Sequence, residues 1–230
     1  EKGLMLSVYV DDFKLAGLKK NLQPIFKQIS ERILTDEPVP FNKYLGIIHE
    51  RIELTPEEAR DRIKHFSNII DWAFQQEESS AHERKANANA ESARAFVSSK
   101  RKSIPTKIRG FAQHMKGFMK ECVSVYCDIA KIAPTSLRKV STPFLDDKTI
   151  PVEDLKCSGT LAKDASRIVL KCLYAARACR WDVLSPVCSL AAEVDKWTRA
   201  SDKKLHRLMC YIYSTPELTL EAFIGDTFDN

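Results

Sequence analysis

Ser7-Val8-Tyr9-Val10-Asp11-Asp12-Phe13 decides how the rest of this chain is read. An apolar run from Leu4 to Val10, broken only by Ser7, leads directly into two adjacent carboxylates, and a second apolar stretch from Phe13 to Gly17 follows at once. Short β-branched and aromatic runs on either side of a turn point to a β-hairpin. Its tip presents Asp11 and Asp12 together, outside the strands. Adjacent carboxylates repel each other, so the pair is costly unless a cation sits there. Hard oxygen ligands of this kind suit Mg²⁺, which takes one or two protein carboxylates plus substrate phosphates. Read locally, the same residues also make an ordinary solvated turn, because Asp is a common turn residue through its own backbone hydrogen bonding.

Composition narrows the class. The 230 residues are enough to bury one or two sizeable cores, and 44% hydrophobic with 29% charged residues is an ordinary globular balance. No apolar stretch approaches the length of a membrane span, and the N-terminus carries no signal-peptide pattern, so no membrane partner is expected. The chain opens almost inside a strand without an initiator Met, which suggests a fragment of something longer. A net charge of +5 permits nucleic-acid binding without requiring it. Seven cysteines form no Cys-x-x-Cys pair and no Cys/His finger spacing. Scattered on apolar helical faces, they fit reduced, buried thiols in an intracellular protein, in the cytoplasm or nucleus.

Outward from the hairpin, Leu18, Leu22, Ile25, Phe26, Ile29 and Ile33 fall at helical spacing, and the helix should pack on the sheet that carries the hairpin. Pro38 and Pro40 force extended chain. Phe41 to Ile48 and Arg51 to Leu54 then read as a second hairpin, with its turn expected near His49-Glu50 and Gly46 admitting a close backbone approach. Thr55-Pro56-Glu57-Glu58 is a helix start with a capping box, followed by an apolar face of Ala59, Ile63, Phe66, Ile70, Ala73 and Phe74. Gln75 to Ser99 turns polar and buries little. Lys100, Arg101, Lys102, Lys107 and Arg109, with Lys116 and Lys120 beyond, form the best candidate for phosphate contact.

Ile108, Phe111, Met115, Phe118, Met119, Cys122, Tyr126 and Ile129 predict a helix of about six turns. Three helices close the chain. They are expected from about Leu161 to Cys179, from a cap at Ser185-Pro186, and from Ser201-Asp202, with strand character over Thr219 to Ile224. The fold class expected is α+β, a small antiparallel remnant of two hairpins and a helix before a mostly helical region.

Tyr9-Val10-Asp11-Asp12 inside an apolar hairpin resembles the metal-binding hairpin of reverse transcriptases. The downstream chain resembles the copia-type LTR retrotransposon polymerase in particular. Tyr44-Leu45-Gly46 looks like the hairpin that holds the primer end. Gly159-Thr160-Leu161, Leu173-Tyr174-Ala175-Ala176-Arg177, Cys179-Arg180-Trp181-Asp182, Lys196-Trp197-Thr198, Asp202 and Leu205-His206-Arg207 match the following stretches in order and spacing. The resemblance implies residues 1–74 as the end of the polymerase palm, 75–105 as a linker or insertion, 106–215 as a thumb or connection region, and 216–230 as the start of a ribonuclease H-like domain. It implies catalysis through two metal ions, Mg²⁺ or Mn²⁺, with Asp11 a direct ligand and Asp12 beside it in support. Tyr9, Tyr44, Leu45 and Gly46 would lie near an RNA template and DNA primer, and the remainder of a Pol polyprotein would complete the enzyme. The partner aspartate on an earlier strand is not among the ten residues before Asp11, so residues 1–230 alone are expected not to extend a primer. The competing expectations are a non-catalytic helical protein, derived from a decayed element, that binds nucleic acid or a partner, and a plain helical scaffold.

Overall fold

A computed structural model of the chain describes residues 3–77 and 108–224. The described elements are β1 (Leu4–Tyr9), β2 (Asp12–Gly17), α1 (Lys19–Ser30), β3 (Lys43–Tyr44), β4 (Ile47–Leu54), α2 (Pro56–Glu77), β5 (Ile108–His114), α3 (Lys116–Ala130), α4 (Val152–Lys156), α5 (Ala165–Ala178), α6 (Leu184–Ala192), α7 (Arg199–Ser214) and β6 (Leu220–Ile224). The fold is α+β. β1 and β2 form a two-stranded sheet, and a four-stranded sheet runs in the order β3-β4-β5-β6. The chain divides into two compact units, Glu1–Glu50 with Gln113–Leu220 and Arg51–Ala112 with Glu221–Asn230.

The first hairpin forms, with its turn one residue earlier than the sequence implies, at Val10-Asp11, so that Asp12 is the first residue of β2. β1 and β2 are antiparallel, with Leu6 opposite Leu15, Val8 opposite Phe13, Ser7 opposite Lys14 and Tyr9 opposite Asp12. Directly opposed residues share a face and alternate residues change face. One face therefore carries Leu4, Leu6, Val8, Phe13 and Leu15, and the other carries Met5, Ser7, Tyr9, Asp12 and Lys14. The strands are not buried: Met5, Leu6, Val8 and Tyr9 are each roughly half exposed. α1 contributes only a half-buried stripe of Leu22, Ile25, Phe26 and Ile29, and it ends at Ser30, leaving Ile33 outside the helix.

The second hairpin turns earlier than the sequence implies. Tyr44 pairs with Ile47, so the two-residue loop is Leu45-Gly46 and His49 lies within β4. Leu45 and Gly46 have φ of 52° and 73°, the pattern of a type I′ turn, whose twist matches that of the flanking strands. Gly46 serves this backbone conformation and not a close approach: a Cβ there would meet only the Met115 methyl, at 3.6 Å. α2 begins as expected, Thr55 N–H donating to Glu58 Oε2 at 2.8 Å and Glu58 N–H to Thr55 Oγ1 at 3.3 Å. Of the apolar face expected on α2, Ala59 is buried, and the other five residues lie outside the described side chains.

A six-turn helix from Ile108 does not form. Residues 108–114 are strand β5, and helix α3 starts only at Lys116. Ile108 and Phe111 mimic helical spacing, but the residues the strand buries are Gly110, Ala112 and His114, a period of two that no large apolar side chain marks. Gly110 is required there because a Cβ would lie 2.4 Å from the Ala222 carbonyl and 2.7 Å from the Phe223 ring on β6.

The densest packing is helical and lies in the first unit. Met119, Cys122 and Tyr126 of α3 meet Ile168, Val169 and Cys172 of α5, Val187 and Leu190 of α6, and Leu205, Leu208, Met209 and Ile212 of α7. All seven cysteines are free thiols; Cys188 is exposed, Cys157 is intermediate and the other five are buried. α6 begins at Leu184 after a 3₁₀ turn, with Ser185 and Pro186 inside its first turn. α7 begins two residues before Ser201, at Arg199, with Thr198 as its cap: Thr198 Oγ1 accepts from Ser201 N–H at 3.3 Å and Ser201 Oγ accepts from Thr198 N–H at 3.3 Å.

Two polar knots tie this region together. Asp202 accepts hydrogen bonds from Thr160 N–H (2.6 Å), Thr160 Oγ1 (2.9 Å), Leu161 N–H (3.2 Å) and Trp197 Nε1 (2.7 Å). Gly159 makes room for it, since a Cβ would stand 2.5 Å from Thr198 O and 2.9 Å from the Asp202 carboxylate. Arg180, 1% exposed, grips Asp182 through Nε (2.9 Å) and Nη2 (2.7 Å) and also reaches Thr215 Oγ1 at 3.0 Å. Among the described residues no helix is long and apolar enough to cross a membrane.

Candidate metal-binding hairpin

The tip between β1 and β2 is a two-residue loop, Val10-Asp11, because Tyr9 pairs directly with Asp12. Val10 has φ of 54° while Asp11 does not share a positive φ. That is the pattern of a type II′ turn, whose first central position favours Gly. A β-branched residue is the side-chain type least suited to left-handed backbone, since its branch crowds the neighbouring carbonyl. Val10 is 84% exposed, so no packed side chain holds it in that conformation. The turn places Asp11 at the apex and Asp12 at the first position of β2, both exposed.

Neither carboxylate has a hydrogen bond or ion pair to another described residue, and no cluster of three or more His, Cys, Asp or Glu side chains that could hold a metal ion occurs among the described residues. Two free, adjacent carboxylates fit the part of a Mg²⁺ shell that a protein supplies when phosphates supply the rest. Tyr9 does not share a strand face with Asp11, because the alternation ends at the turn. It lies beside Asp12, its cross-strand partner.

The face that carries Tyr9 and Asp12 also meets the chain leading into the second hairpin. Ser7 Oγ and the Tyr44 hydroxyl are 3.0 Å apart. The Lys14 ammonium lies 4.2 Å from the centre of the Phe41 ring and 5.7 Å from that of Tyr44, within the range of cation–π attraction. Phe41 in turn packs on His49 with ring centroids 4.5 Å apart. Partial burial and then the Lys14 charge hold the His49 imidazole below its ordinary pKa. Tyr44 is thus brought to the carboxylate-bearing hairpin. Ser7, Lys14, Phe41 and His49 join it without having been read as site residues; the period-two spacing of Ser7 with Tyr9 and of Asp12 with Lys14 was the available signal for the first two.

Leu45 is held elsewhere: its carbonyl accepts from the Tyr174 hydroxyl at 2.7 Å. Gly46 is exposed in the turn. Lys100, Arg101, Lys102 and Lys107 lie outside the described residues. Arg109 belongs to the second unit and is exposed, with its Nε 4.0 Å from Glu53. Lys116 and Lys120 share Glu217, at 2.9 and 3.8 Å, so part of the expected basic track is neutralised within the fold. No family model, no curated protein and no solved structure matches the chain.

Proposed function

We propose that this chain is the palm end and thumb or connection region of a copia-type RNA-directed DNA polymerase, in which Asp11 binds a catalytic Mg²⁺ or Mn²⁺ directly and Asp12 supports it. The observation that carries this reading is the tip itself. Val10 occupies left-handed backbone at an exposed turn, and the result is two unpartnered carboxylates side by side. Strain of that kind costs about 1–3 kcal/mol and clusters where a chain must aim particular side chains. The apolar faces left uncovered on β1 and β2 support it further, because an isolated two-stranded sheet is marginal and such residues suit a wider sheet.

Metal bound here would activate a primer 3′ hydroxyl and steady the leaving phosphates. Asp11 and Asp12 would supply its protein oxygens, and Tyr9, Tyr44 and the Leu45-Gly46 turn would border the template and primer. The enzyme would work inside cells, with the remainder of a Pol polyprotein supplying further metal ligands. The helical core favours a second reading, a non-catalytic interaction protein, in that its buried cluster from Met115 to Ile212 draws on no residue of the first hairpin.

Mn²⁺ titration of the labelled protein tests the proposal. Millimolar Mn²⁺ is expected to broaden the amide signals of Tyr9 to Phe13 selectively, and Asp11→Asn to remove the effect. Uniform weak broadening, or selective broadening elsewhere, would refute the metal role and leave the second reading.

A further inference from the structure

A cavity of about 810 Å³ opens within the first unit, on the side where α3 and α7 meet the connector that follows α3. It stands apart from the carboxylate hairpin and draws no residue from it. Its floor is apolar, with Ile132, Val140 and Leu145 contributing. Its rim carries four cations, Arg138, Arg199, Lys203 and Arg207.

The charges do not cancel. Asp202, the acidic residue of the lining, is held by neutral donors of Thr160, Leu161 and Trp197 and keeps its charge, one carboxylate against four cations. Arg199 and Lys203 share the Asp154 carboxylate, Arg199 at 3.5 Å. Arg207 donates to the Thr142 carbonyl at 2.9 Å and the Thr142 hydroxyl at 3.0 Å, both neutral groups that leave its charge uncompensated. Arg138 has no carboxylate partner among the described residues, and it acts on the cavity: burial first and the Arg138 charge second hold His206, another lining residue, below its ordinary pKa.

The geometry points to a binding site for a small phosphomonoester with a planar apolar body, its phosphate gripped at the rim by Arg138 and Arg207 and its body laid on the Ile132–Val140–Leu145 floor. Guanidinium groups match phosphate through paired hydrogen bonds. A concave wall with a net excess of positive charge focuses the field on an entering anion. The volume falls in the range of small-molecule sites, and an apolar lining with a few convergent polar groups is their usual make-up. Nucleic acid backbone asks instead for an open basic stripe that follows successive phosphates.

The probe is 1-naphthyl phosphate, followed by its fluorescence with the full chain at pH 7.5. Saturable binding is expected, with 1-naphthol and inorganic phosphate each binding far more weakly. Arg138→Gln, at an exposed position, should weaken the probe about tenfold. Leu145→Ala should weaken it about threefold while leaving inorganic phosphate unchanged. Circular dichroism of both variants confirms that they fold. Absence of saturation at millimolar probe, or equal affinity in Arg138→Gln, overturns the proposal. So does a single-stranded oligonucleotide that displaces the probe with a steep salt dependence, since that assigns the rim to nucleic acid.

Discussion

Replacing Val10 by Gly should make the first hairpin more stable, although the substitution removes a side chain and adds backbone freedom. Val10 sits at φ 54°, where a β-branched residue costs about 1–2 kcal/mol. The side chain is 84% exposed, so almost no buried area is lost with it. Glycine in the unfolded chain has more freedom to lose, which takes back about 0.5–1 kcal/mol. The net gain is about 1 kcal/mol, roughly a fivefold shift between closed and open hairpin. Because β1 and β2 are largely uncovered, the opening is local and a global melting curve would miss it. Native-state hydrogen exchange of the β1 and β2 amides reads it directly, and Val10→Gly should raise their protection about fivefold. Val10→Asn relieves the strain without the glycine entropy and should do at least as well. Lower protection in Val10→Gly would refute the argument, for it would mean that valine is favoured at this turn and that no strain is stored in displaying Asp11 and Asp12.

Two further predictions concern the helical region. Asp182→Ala leaves the Arg180 guanidinium, 1% exposed, without its carboxylate, which should destabilise the first unit by about 3–5 kcal/mol. Urea denaturation checks it, and Arg180→Met combined with Asp182→Ala should recover most of the loss. His206 is held below its ordinary pKa of 6.5 by burial and by Arg138, so the unfolded chain binds that proton more readily than the folded one. Its stabilising contribution is complete above pH 6.5 and is lost as pH falls from 6.5 toward the lowered folded value. His49 is shifted the same way by burial and Lys14. The melting temperature should therefore fall between pH 7.5 and 5.5, and less so in His206→Asn; an unchanged pH slope in that variant would exclude His206 as a source.

Much of the scaffold could be read from residue order because local chemistry and tertiary burial agree there. Thr55 and Glu58 form the capping box that their spacing implies. Ala165, Ile168, Val169 and Cys172 on one helix, and Leu205, Leu208, Met209 and Ile212 on another, are buried as a 3.6-residue period requires. The failures share a cause. At Val10 and Leu45 a large apolar residue takes a positive φ, against its own preference, so composition could not place either turn. At 108–114 the buried face is marked by Gly110, Ala112 and His114, which carry no hydrophobic signal, while Ile108 and Phe111 supply a false one. The carboxylate pair was legible, and its strained support and its link to Tyr44 through Ser7 were not, because they depend on which residues stand opposite each other.

The polar residues that look alike in sequence separate once their donors are counted. Asp202 and Asp182 belong to the stretches where the family resemblance is most detailed, yet each is consumed: Asp202 by four donors from Thr160, Leu161 and Trp197, and Asp182 by the Arg180 fork. A carboxylate so engaged has few lone pairs left for a metal, and freeing them would leave the buried donors of Leu161, Trp197 and Arg180 unpaired at about 1–3 kcal/mol each. Gly159 belongs with Asp202 for the same structural reason, since any side chain would strike the carboxylate and the Thr198 carbonyl. Those positions hold helices together. Asp11 and Asp12 lie at the opposite extreme, on the least covered sheet and without described partners, so their oxygens are free for a ligand from outside. The helical motifs therefore argue for a scaffold, and the chemistry proposed for the chain depends on a turn where the fold leaves two adjacent carboxylates without described partners.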